Sequence, residues 1–288
     1  MEVRTNKIGD IRSHYRLKLA QLYNDREADT LLFQLLSDIT QMSKAHILSF
    51  PEKTISESEL LRVHFGVKDL LKNKPIQYII GNAEFYGLNF KVNSKVLIPR
   101  PETEELVEMV IKNIPENEPR KVLDVGTGSG CIAIAIKKLR PLCDILAIDI
   151  SEFALEMAQQ NAVLNNVQVQ FKKVDFLNKN QVQLLSKFDF VVSNPPYVRN
   201  SEKLMMKKNV LDYEPSLALF VDDDNPLIFY EALASFCETN LQAGGMLFAE
   251  INQYLSAETE QLFTGNGFKN VNIEKDLFGN DRFLTVLT

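Results

Sequence analysis

From Pro99 onward the sequence alternates predicted strands with predicted helices, and this alternation constrains the fold more than any other feature. Segments of this length that alternate in this way form βαβ units, so we expect a mostly parallel sheet with helices on both faces. Such a sheet binds its ligands at the carboxyl ends of its strands. Strands are predicted at residues 121–125, 145–148, 167–174, 188–193, 246–251 and 283–287, and helices at residues 131–139, 153–164 and 225–241.

The first part of the chain follows a different pattern. Between residues 10 and 72, apolar side chains recur at the three-and-four spacing of a helix face, most clearly from Ala28 to Ile39. Aromatic and branched residues around Gly87 then predict a β-hairpin. We therefore predict a small all-helical domain at residues 1–75, a β-hairpin linker at 76–98 and an α/β domain at 99–288.

A glycine-rich loop follows the first strand of the α/β domain and leads directly into a helix. Alternate glycines allow the backbone to approach a ligand closely, and the helix N-terminus presents free N–H groups. A dinucleotide-binding loop would have its third glycine at position 131, where this chain has Cys131. Asp124, expected at the mouth of the loop, disfavours a pyrophosphate and tolerates a cationic ligand such as S-adenosylmethionine. The predicted cofactor-binding loop comprises Gly126, Thr127, Gly128, Ser129 and Gly130.

Acidic residues follow the next two predicted strands. Asp149 ends the second strand, where a carboxylate is placed to accept hydrogen bonds from both hydroxyls of a ribose. Asp175 and Phe176 follow the third strand and could supply an acceptor for the adenine amino group and a ring for its face. Together with the glycine loop, these residues indicate an S-adenosylmethionine-dependent methyltransferase of the Rossmann-like class, with S-adenosylhomocysteine as the product.

The fourth strand is followed by a tetrad, Asn194, Pro195, Pro196 and Tyr197. The prolines stiffen the loop, so the Asn194 side-chain oxygen and the Pro195 carbonyl can accept hydrogen bonds from both hydrogens of a planar –NH2 group. Tyr197 offers a ring against which a flat substrate could lie. The lone pair of such a nitrogen is delocalised, and two acceptors favour charge development and alignment. We predict N-methylation, with Asn194, Pro195 and Tyr197 as catalytic residues and the whole tetrad binding the substrate.

Charge and composition narrow the choice of partners. The chain carries 32 Lys and Arg against 38 Asp and Glu, and residues 86–288 carry 20 against 27. Nucleic-acid binding requires a basic excess, so we expect no stable complex with nucleic acid. We also expect no membrane association, since no apolar run approaches ~18 residues, and a cytoplasmic location, since the N-terminus lacks a secretory pattern. The three cysteines show no metal-ligand spacing, so we expect no bound metal. We also expect the protein to be a monomer.

The sequence resembles the HemK-type protein-glutamine N-methyltransferases over nearly its full length, and among them the branch that acts on peptide-chain release factors. In this family, residues that match the glycine loop, Asp149, Phe176 and Asn194 contact S-adenosylmethionine, and residues that match the tetrad hold a glutamine. Relatives often have Trp where this chain has Phe176, which keeps the ring but loses an N–H donor. Besides the tetrad and the glycine loop, the resemblance rests on residues 75–81, 84–87, 97–107, 149–151, 154–155, 213–215 and 218–219.

The resemblance implies methylation of the side-chain amide of the glutamine in the Gly-Gly-Gln loop of class-one release factors. It also implies that the N-terminal helical domain recognises this protein substrate. Arg100 and Glu102 are possible site-lining residues, in a segment where the related enzyme that acts on a ribosomal protein typically has Ser-Pro in place of Pro101 and Glu102. The same segment also reads as a helix that begins at a proline, with acids in its first turn.

Three alternatives stay open. One is a glutamine methyltransferase that acts on a ribosomal protein. Another is an adenine-N6 nucleic-acid methyltransferase, because the tetrad serves any planar amino nitrogen, although the acidic charge argues against it. A third is a non-catalytic ligand-binding module, which the intact tetrad disfavours. A basic cluster after the tetrad is interpreted as a solvated helix face, with a contact to the release factor as the alternative, and comprises Lys203, Lys207 and Lys208.

Overall fold

The structure is a computed structural model that describes residues 5–288. The chain divides into two compact units, one formed by residues up to 81 together with 207–213, the other by residues 82–206 and 214–288. Residues 76–80, which fall within the predicted hairpin linker, form a short helix of the first unit. The helices of this unit that precede residue 82 are α1 (Ile8–Leu19), α2 (Asp25–Thr40), α3 (Lys44–Ser49), α4 (Glu57–Leu70) and α5 (Ile76–Ile80).

Helices α2 and α4 of the first unit begin at capping side chains and pack against each other through apolar faces. The Asn24 side chain accepts a hydrogen bond from the backbone N–H of Glu27, which starts α2. Ser56 and Glu59 form a capping box at the start of α4. At the crossing of these two helices a Cβ on Gly66 would lie 2.6 Å from Leu35 Cδ1, so a larger residue there would force the Leu35 side chain to move. The predicted periodicity of α2 therefore corresponds to a buried helix–helix contact.

The predicted β-hairpin is present at the start of the second unit. Its strands are β1 (Asn82–Phe85) and β2 (Leu88–Lys91), joined at Tyr86 and Gly87, which both have positive φ. The side chain of Asn161 accepts from the backbone N–H of Lys91 and donates to its carbonyl, which fastens the hairpin to the rest of the unit. Helix α6 (Pro101–Asn113) follows and begins at a proline, as predicted.

Within residues 5–288, seven strands form one sheet in the order β10-β11-β9-β6-β3-β4-β5. The central pairings are parallel, which confirms the predicted class of fold, while β10 and β11 add an antiparallel edge that was only partly predicted. The sheet strands are β3 (Lys121–Val125), β4 (Asp144–Asp149), β5 (Gln170–Lys173), β6 (Phe188–Ser193), β9 (Leu241–Glu250), β10 (Asn270–Lys275) and β11 (Asp281–Leu287), and a separate short pair is formed by β7 (Val198–Arg199) and β8 (Phe220–Val221).

Helices cover both faces of the sheet, and successive strand residues face opposite cores. Val122 packs into the core that includes α6 and α7, and Leu123 packs into the core that includes α11. The predicted strand at 167–174 is shorter in the structure, where β5 begins at Gln170, because a turn at residues 165–166, with Asn166 at φ 55°, follows α8 and residues 167–169 form no regular structure. No helix among the described residues is long and apolar enough to cross a membrane. The remaining helices are α7 (Cys131–Leu139), α8 (Glu152–Leu164), α9 (Lys179–Val182), α10 (Lys208–Tyr213), α11 (Ile228–Asn240) and α12 (Ser256–Gly265).

Candidate active site

A cavity of about 420 Å³ opens at the carboxyl ends of β3, β4 and β6. Strand order reverses between β3 and β6, so this is the switch point where open α/β sheets bind ligands. Eight of the predicted site residues line its wall, and they lie at or after the ends of β3, β4, β5 and β6. Two segments to which the sequence assigned no place in a cavity complete the wall, residues 94–97 before α6 and residues 215, 217 and 218 before β8, together with Phe229 of α11.

Two glycines of the predicted loop face this cavity. Gly126 and Gly128 line the wall and have φ values of 74° and 56°, a left-handed region that side chains rarely adopt. A Cβ on Gly126 would meet no atom within 4 Å, so the space beside it is open. The backbone N–H groups of Gly126 and Thr127 donate to the carbonyl of Ile148 at 2.9 and 3.0 Å, which anchors the loop to β4.

The other loop residues lie behind this surface, outside the cavity lining. Thr127 is buried, and its hydroxyl donates to Asp124 Oδ2 at 2.6 Å. Ser129 is also buried, and its carbonyl accepts from the side chain of Asn161 at 2.9 Å. Gly130 has a φ of 83°, and a Cβ there would approach α8 to 3.0 Å. These three residues therefore shape and support the loop.

Asp124 lies beneath the loop, and its predicted position at the mouth is wrong. The side chain is fully buried and does not line the cavity. Burial raises the pKa of this carboxyl to about 7, an effect opposed by the hydrogen bond from Thr127 and by the nearby backbone of Ala133 in α7. The reason is that β3 is a central strand covered on both faces, so a side chain near its end points at the first turn of α7.

Asp149 stands at the end of β4 with both carboxylate oxygens held by the backbone. Oδ2 accepts from Gly128 N–H and Oδ1 from Ser151 N–H, each at 2.9 Å. The residue is half-buried and lines the cavity, and desolvation raises its pKa. Each carboxylate oxygen has a further lone pair, so both can accept another hydrogen bond from a ligand hydroxyl.

Asp175 and Phe176 both line the cavity beyond the end of β5. Asp175 Oδ1 accepts from the backbone N–H of Leu177 at 3.0 Å, which orients the carboxylate. The Phe176 ring is 8% exposed and packs edge-on against Phe236 of α11, with centroids 5.5 Å apart. The predicted acceptor and ring therefore lie in the wall that Asp149 also lines.

The tetrad after β6 is divided between the cavity and the interior. Asn194, Pro195 and Pro196 line the cavity. Tyr197 lies outside this lining and is half-buried, with its hydroxyl 3.5 Å from Glu250 Oε2, and burial raises its pKa. The first three residues therefore face the cavity, whereas the tyrosine packs behind them.

Two residues without a predicted role support Asn194. Its Nδ2 donates to Thr103 Oγ1 at 3.0 Å, and the Thr103 hydroxyl donates to Glu250 Oε1. Glu250, the last residue of β9, is 2% exposed, and burial raises the pKa of its carboxyl to about 7. The one available signal in the sequence is an acid that ends the apolar run of β9.

Arg100 and Glu102 lie outside the cavity lining. Arg100 Nη2 pairs with Glu214 Oε1 at 2.6 Å, and Glu214 Oε2 also accepts from the backbone N–H of Ile98. The Glu214 side chain is 1% exposed. The pair therefore ties the segment before α6 to the segment at 215–218, and both segments reach the cavity wall.

The predicted basic cluster is distributed over different elements. Lys203 lies in the second unit with its Nζ 4.4 Å from the centroid of the Phe220 ring. Lys207 and Lys208 belong to the first unit, where Lys208 begins α10.

Among residues 5–288, no group of three or more His, Cys, Asp or Glu side chains is arranged to hold a metal ion.

Two family models and several known proteins match the chain. The family model Methyltransferase small domain matches residues 103–213, and PrmC N-terminal domain matches residues 10–81. The chain is 43% identical to release factor glutamine methyltransferase from Flavobacterium psychrophilum, over 97% of this chain and 98% of that protein. It is 41% identical to the protein of the same name from Bacteroides thetaiotaomicron, over 96% of this chain and 98% of that one.

A solved structure shares the fold. The T. thermophilus 16S rRNA N2 G1207 methyltransferase, in complex with AdoMet and guanosine, aligns with a TM-score of 0.52 and 18% identity, covering 72% of this chain and 49% of that one. The two named relatives span nearly the whole of this chain at over 40% identity. The chain therefore belongs to the release factor glutamine methyltransferases, a family of methyltransferase enzymes.

Proposed function

We propose that this protein transfers a methyl group from S-adenosylmethionine to the side-chain amide nitrogen of the glutamine in the Gly-Gly-Gln loop of class-one peptide-chain release factors. One observation carries the proposal: Asn194 and Pro195 line the same cavity as Gly126 and Asp149. An acceptor pair for a planar –NH2 group thus shares one space with a nucleoside site. Membership of the family favours a release factor as the source of that amide.

The cavity residues fit S-adenosylmethionine. The open space beside Gly126 leaves room for a ligand against the loop backbone. Asp149 has lone pairs for the ribose hydroxyls, and Asp175 and Phe176 offer an acceptor and a ring for the adenine. When bound, the cofactor supplies an electrophilic methyl group on a sulfonium. A methyltransferase of the same fold binds AdoMet, which supports this assignment.

Asn194 and Pro195 orient the amide that is methylated. The Asn194 Nδ2 is engaged with Thr103, so the side-chain oxygen is the atom available to the cavity. This oxygen and the Pro195 carbonyl can each accept one hydrogen of the substrate amide, which aims its nitrogen and stabilises positive charge as it develops there. Neither acceptor is basic, so the proton that the methylated nitrogen releases passes to water.

The helical unit is proposed to recognise the protein substrate. Residues 10–81 match the N-terminal domain of the family, and they carry no catalytic motif of their own. A protein partner also agrees with the charge of residues 86–288, whose 27 acids outnumber 20 basic residues and disfavour a nucleic-acid substrate.

A transfer assay tests the proposal. The protein is incubated with S-adenosylmethionine that carries a radiolabelled methyl group and, in parallel, with a class-one release factor, the same factor with its loop glutamine replaced by alanine, ribosomal protein, RNA and duplex DNA. We expect label only in the intact release factor. Asn194→Ala should abolish transfer and keep cofactor affinity within about tenfold, because its larger role is substrate alignment. Transfer to nucleic acid would refute the proposal. So would equal transfer to the release factor whose loop glutamine is replaced by alanine.

A further inference from the structure

A chain of hydrogen bonds with a defined direction runs from a buried carboxyl to the catalytic amide. Glu250 at the end of β9 accepts from the hydroxyl of Thr103 in the first turn of α6, and this hydroxyl oxygen accepts from Asn194 Nδ2 at 3.0 Å. Glu250 and Thr103 are each 2% exposed, so water does not compete for these bonds. Neither of the two lines the cavity.

The donor and acceptor inventory fixes the direction of this chain. An ionised carboxylate can only accept, so the single hydrogen of the Thr103 hydroxyl points at Glu250. The hydroxyl oxygen is then left as an acceptor for Asn194, whose –NH2 group must turn toward it. The Asn194 oxygen consequently faces the other way, where it is available to a substrate.

Without the carboxylate the same side chains can adopt the opposite polarity. A donor at position 250 would bind the Thr103 oxygen, and the Thr103 hydroxyl would be free to donate to the Asn194 oxygen. The Asn194 amide would then turn and present its –NH2 group to the –NH2 group of the substrate. Two donors would face each other, and the hydrogen bond that aligns the substrate nitrogen would be lost.

We propose that Glu250 is a positioning residue that sets, through Thr103, which end of the Asn194 amide faces the methyl acceptor. The inference rests on the proposed function of this cavity. The carboxyl also lies 3.5 Å from the Tyr197 hydroxyl, so one buried group supports both ends of the tetrad. The backbone of Glu250 is itself held in place, because its carbonyl accepts a hydrogen bond of 2.9 Å from the hydroxyl of Tyr230.

Protonation of Glu250 has the same consequence as a substitution, because a neutral carboxyl can donate to the Thr103 oxygen. Burial raises the pKa of Glu250 to about 7, so the hydrogen-bond chain loses its fixed direction as the pH falls through this value. The Thr103 hydrogen bond and Arg282 oppose this rise, while Glu102 adds to it. The charged and titratable groups around the carboxyl are Glu102 of α6, Cys131 of α7, Tyr197, Tyr230 of α11 and Arg282 of β11.

Kinetics of substitutions test the proposal at saturating S-adenosylmethionine. Glu250→Gln and Thr103→Val should each lower kcat about 10- to 100-fold, the size expected when one hydrogen bond to a developing charge is lost. Thr103→Ser keeps the hydroxyl and should retain kcat. The double variant Glu250→Gln/Thr103→Val should be no slower than either single variant, because the two residues act as one unit. Additive losses, or a Thr103→Val enzyme with normal kcat, would overturn the proposal.

Thr285→Val is the matched control. It removes another hydrogen bond from a buried threonine to a glutamate in the same sheet, that of Thr285 to Glu274. It should leave kcat unchanged. The kcat of the wild-type enzyme should also decrease as the pH is lowered through about 7. Glu250→Gln should abolish this decrease, whereas Asp124→Asn should retain it. If kcat of Glu250→Gln still decreases below about pH 7, Glu250 does not act through this chain of hydrogen bonds, which we call the relay.

A measurement without any methyl acceptor separates this inference from the proposed function. In protein labelled with ¹⁵N at asparagine, the side-chain amide signal of Asn194, assigned by its loss in Asn194→Asp, should shift as Glu250 titrates. Thr103→Val should abolish that shift. A signal that does not respond to pH in the folded wild-type protein refutes the relay even if a release factor is methylated, and a responsive signal supports it even if another amide is the substrate.

Discussion

The backbone N–H of Gly128 donates a hydrogen bond of 2.9 Å to Asp149 Oδ2, and this bond joins the glycine loop after β3 to the end of β4. The same carboxylate accepts from Ser151 N–H through its other oxygen. The residue predicted to hold the ribose therefore also holds the loop beside which the rest of the cofactor would lie. A single substitution at Asp149 should affect both parts of the site.

The first prediction concerns Asp149. Asp149→Ala removes the acceptor for Gly128 and the acceptors for the ribose, and a hydrogen bond to a charged group is worth about 1.5–3 kcal/mol. We expect the Kd for S-adenosylmethionine, measured by calorimetry, to rise by roughly 10- to 150-fold per bond lost. Asp149→Asn keeps one acceptor oxygen and should be intermediate. Unchanged affinity in the alanine variant would contradict the ribose assignment.

The second prediction compares two glycines of similar conformation. Gly126 and Gly279 have φ values of 74° and 86°, and a Cβ on either would meet no atom within 4 Å. Alanine at either position should therefore cost a similar ~1–2 kcal/mol of folding free energy from backbone strain. Only Gly126 lines the cavity, so only Gly126→Ala should also lose cofactor affinity. Equal Kd values for the two variants by calorimetry would show that the loop does not contact the cofactor.

Local sequence patterns were sufficient to predict the position of residues that directly follow a strand. Gly126, Asp149 and Asn194 each stand at the carboxyl end of a predicted strand, and a parallel sheet brings such ends together whatever the strand order. The same rule carried the assignment of Asp175. Burial was harder to predict: the pattern did not show that Asp124 points into the first turn of α7.

Contacts between distant segments were not predictable from the sequence. Asn194 meets Thr103 from 91 residues away, and Thr103 meets Glu250 from 147 residues away. These contacts depend on β9 lying next to β6, an order that the spacing of predicted strands does not specify. The sequence also assigned no place in the cavity wall to residues 94–97 and 215–218, since neither segment follows a predicted strand of the parallel sheet.

The third prediction concerns the buried carboxyl of Asp124. Its pKa rises to about 7 in the folded protein from a model-peptide value of 3.8, so the folded state keeps a proton that the unfolded chain releases between these two values. Stability therefore falls as the pH rises through this window, by at most about 1.4 kcal/mol per pH unit. Asp124→Asn cannot ionise and should gain stability relative to wild type over the same window.

Urea denaturation between pH 4 and 8 measures this difference. Asp224→Asn is the control, because Asp224 is exposed and its substitution should follow the wild-type curve. If the gap between Asp124→Asn and wild type stays constant with pH, Asp124 does not titrate in this range.

The fourth prediction concerns the pair of Arg100 and Glu214. The Glu214 carboxylate is 1% exposed, so Arg100→Ala leaves it with the backbone N–H of Ile98 as its remaining donor. Removing one partner of a buried pair costs about 3–5 kcal/mol, and we expect roughly 2–3 kcal/mol here because screening weakens a partly exposed pair. The Arg100 side chain is 32% exposed. The free energy of unfolding from urea titration measures the loss.

A double substitution separates the ion pair from its effect on the site. Arg100→Met combined with Glu214→Leu removes both charges at once and should be less destabilising than Arg100→Ala, since no unpaired carboxylate stays buried. Both the single and the double variant should weaken S-adenosylmethionine binding, because the pair ties together the segments at 94–98 and 214–218 that reach the cavity wall. A double variant with normal cofactor affinity but lower stability would mean that the pair supports the fold alone and does not shape the cavity.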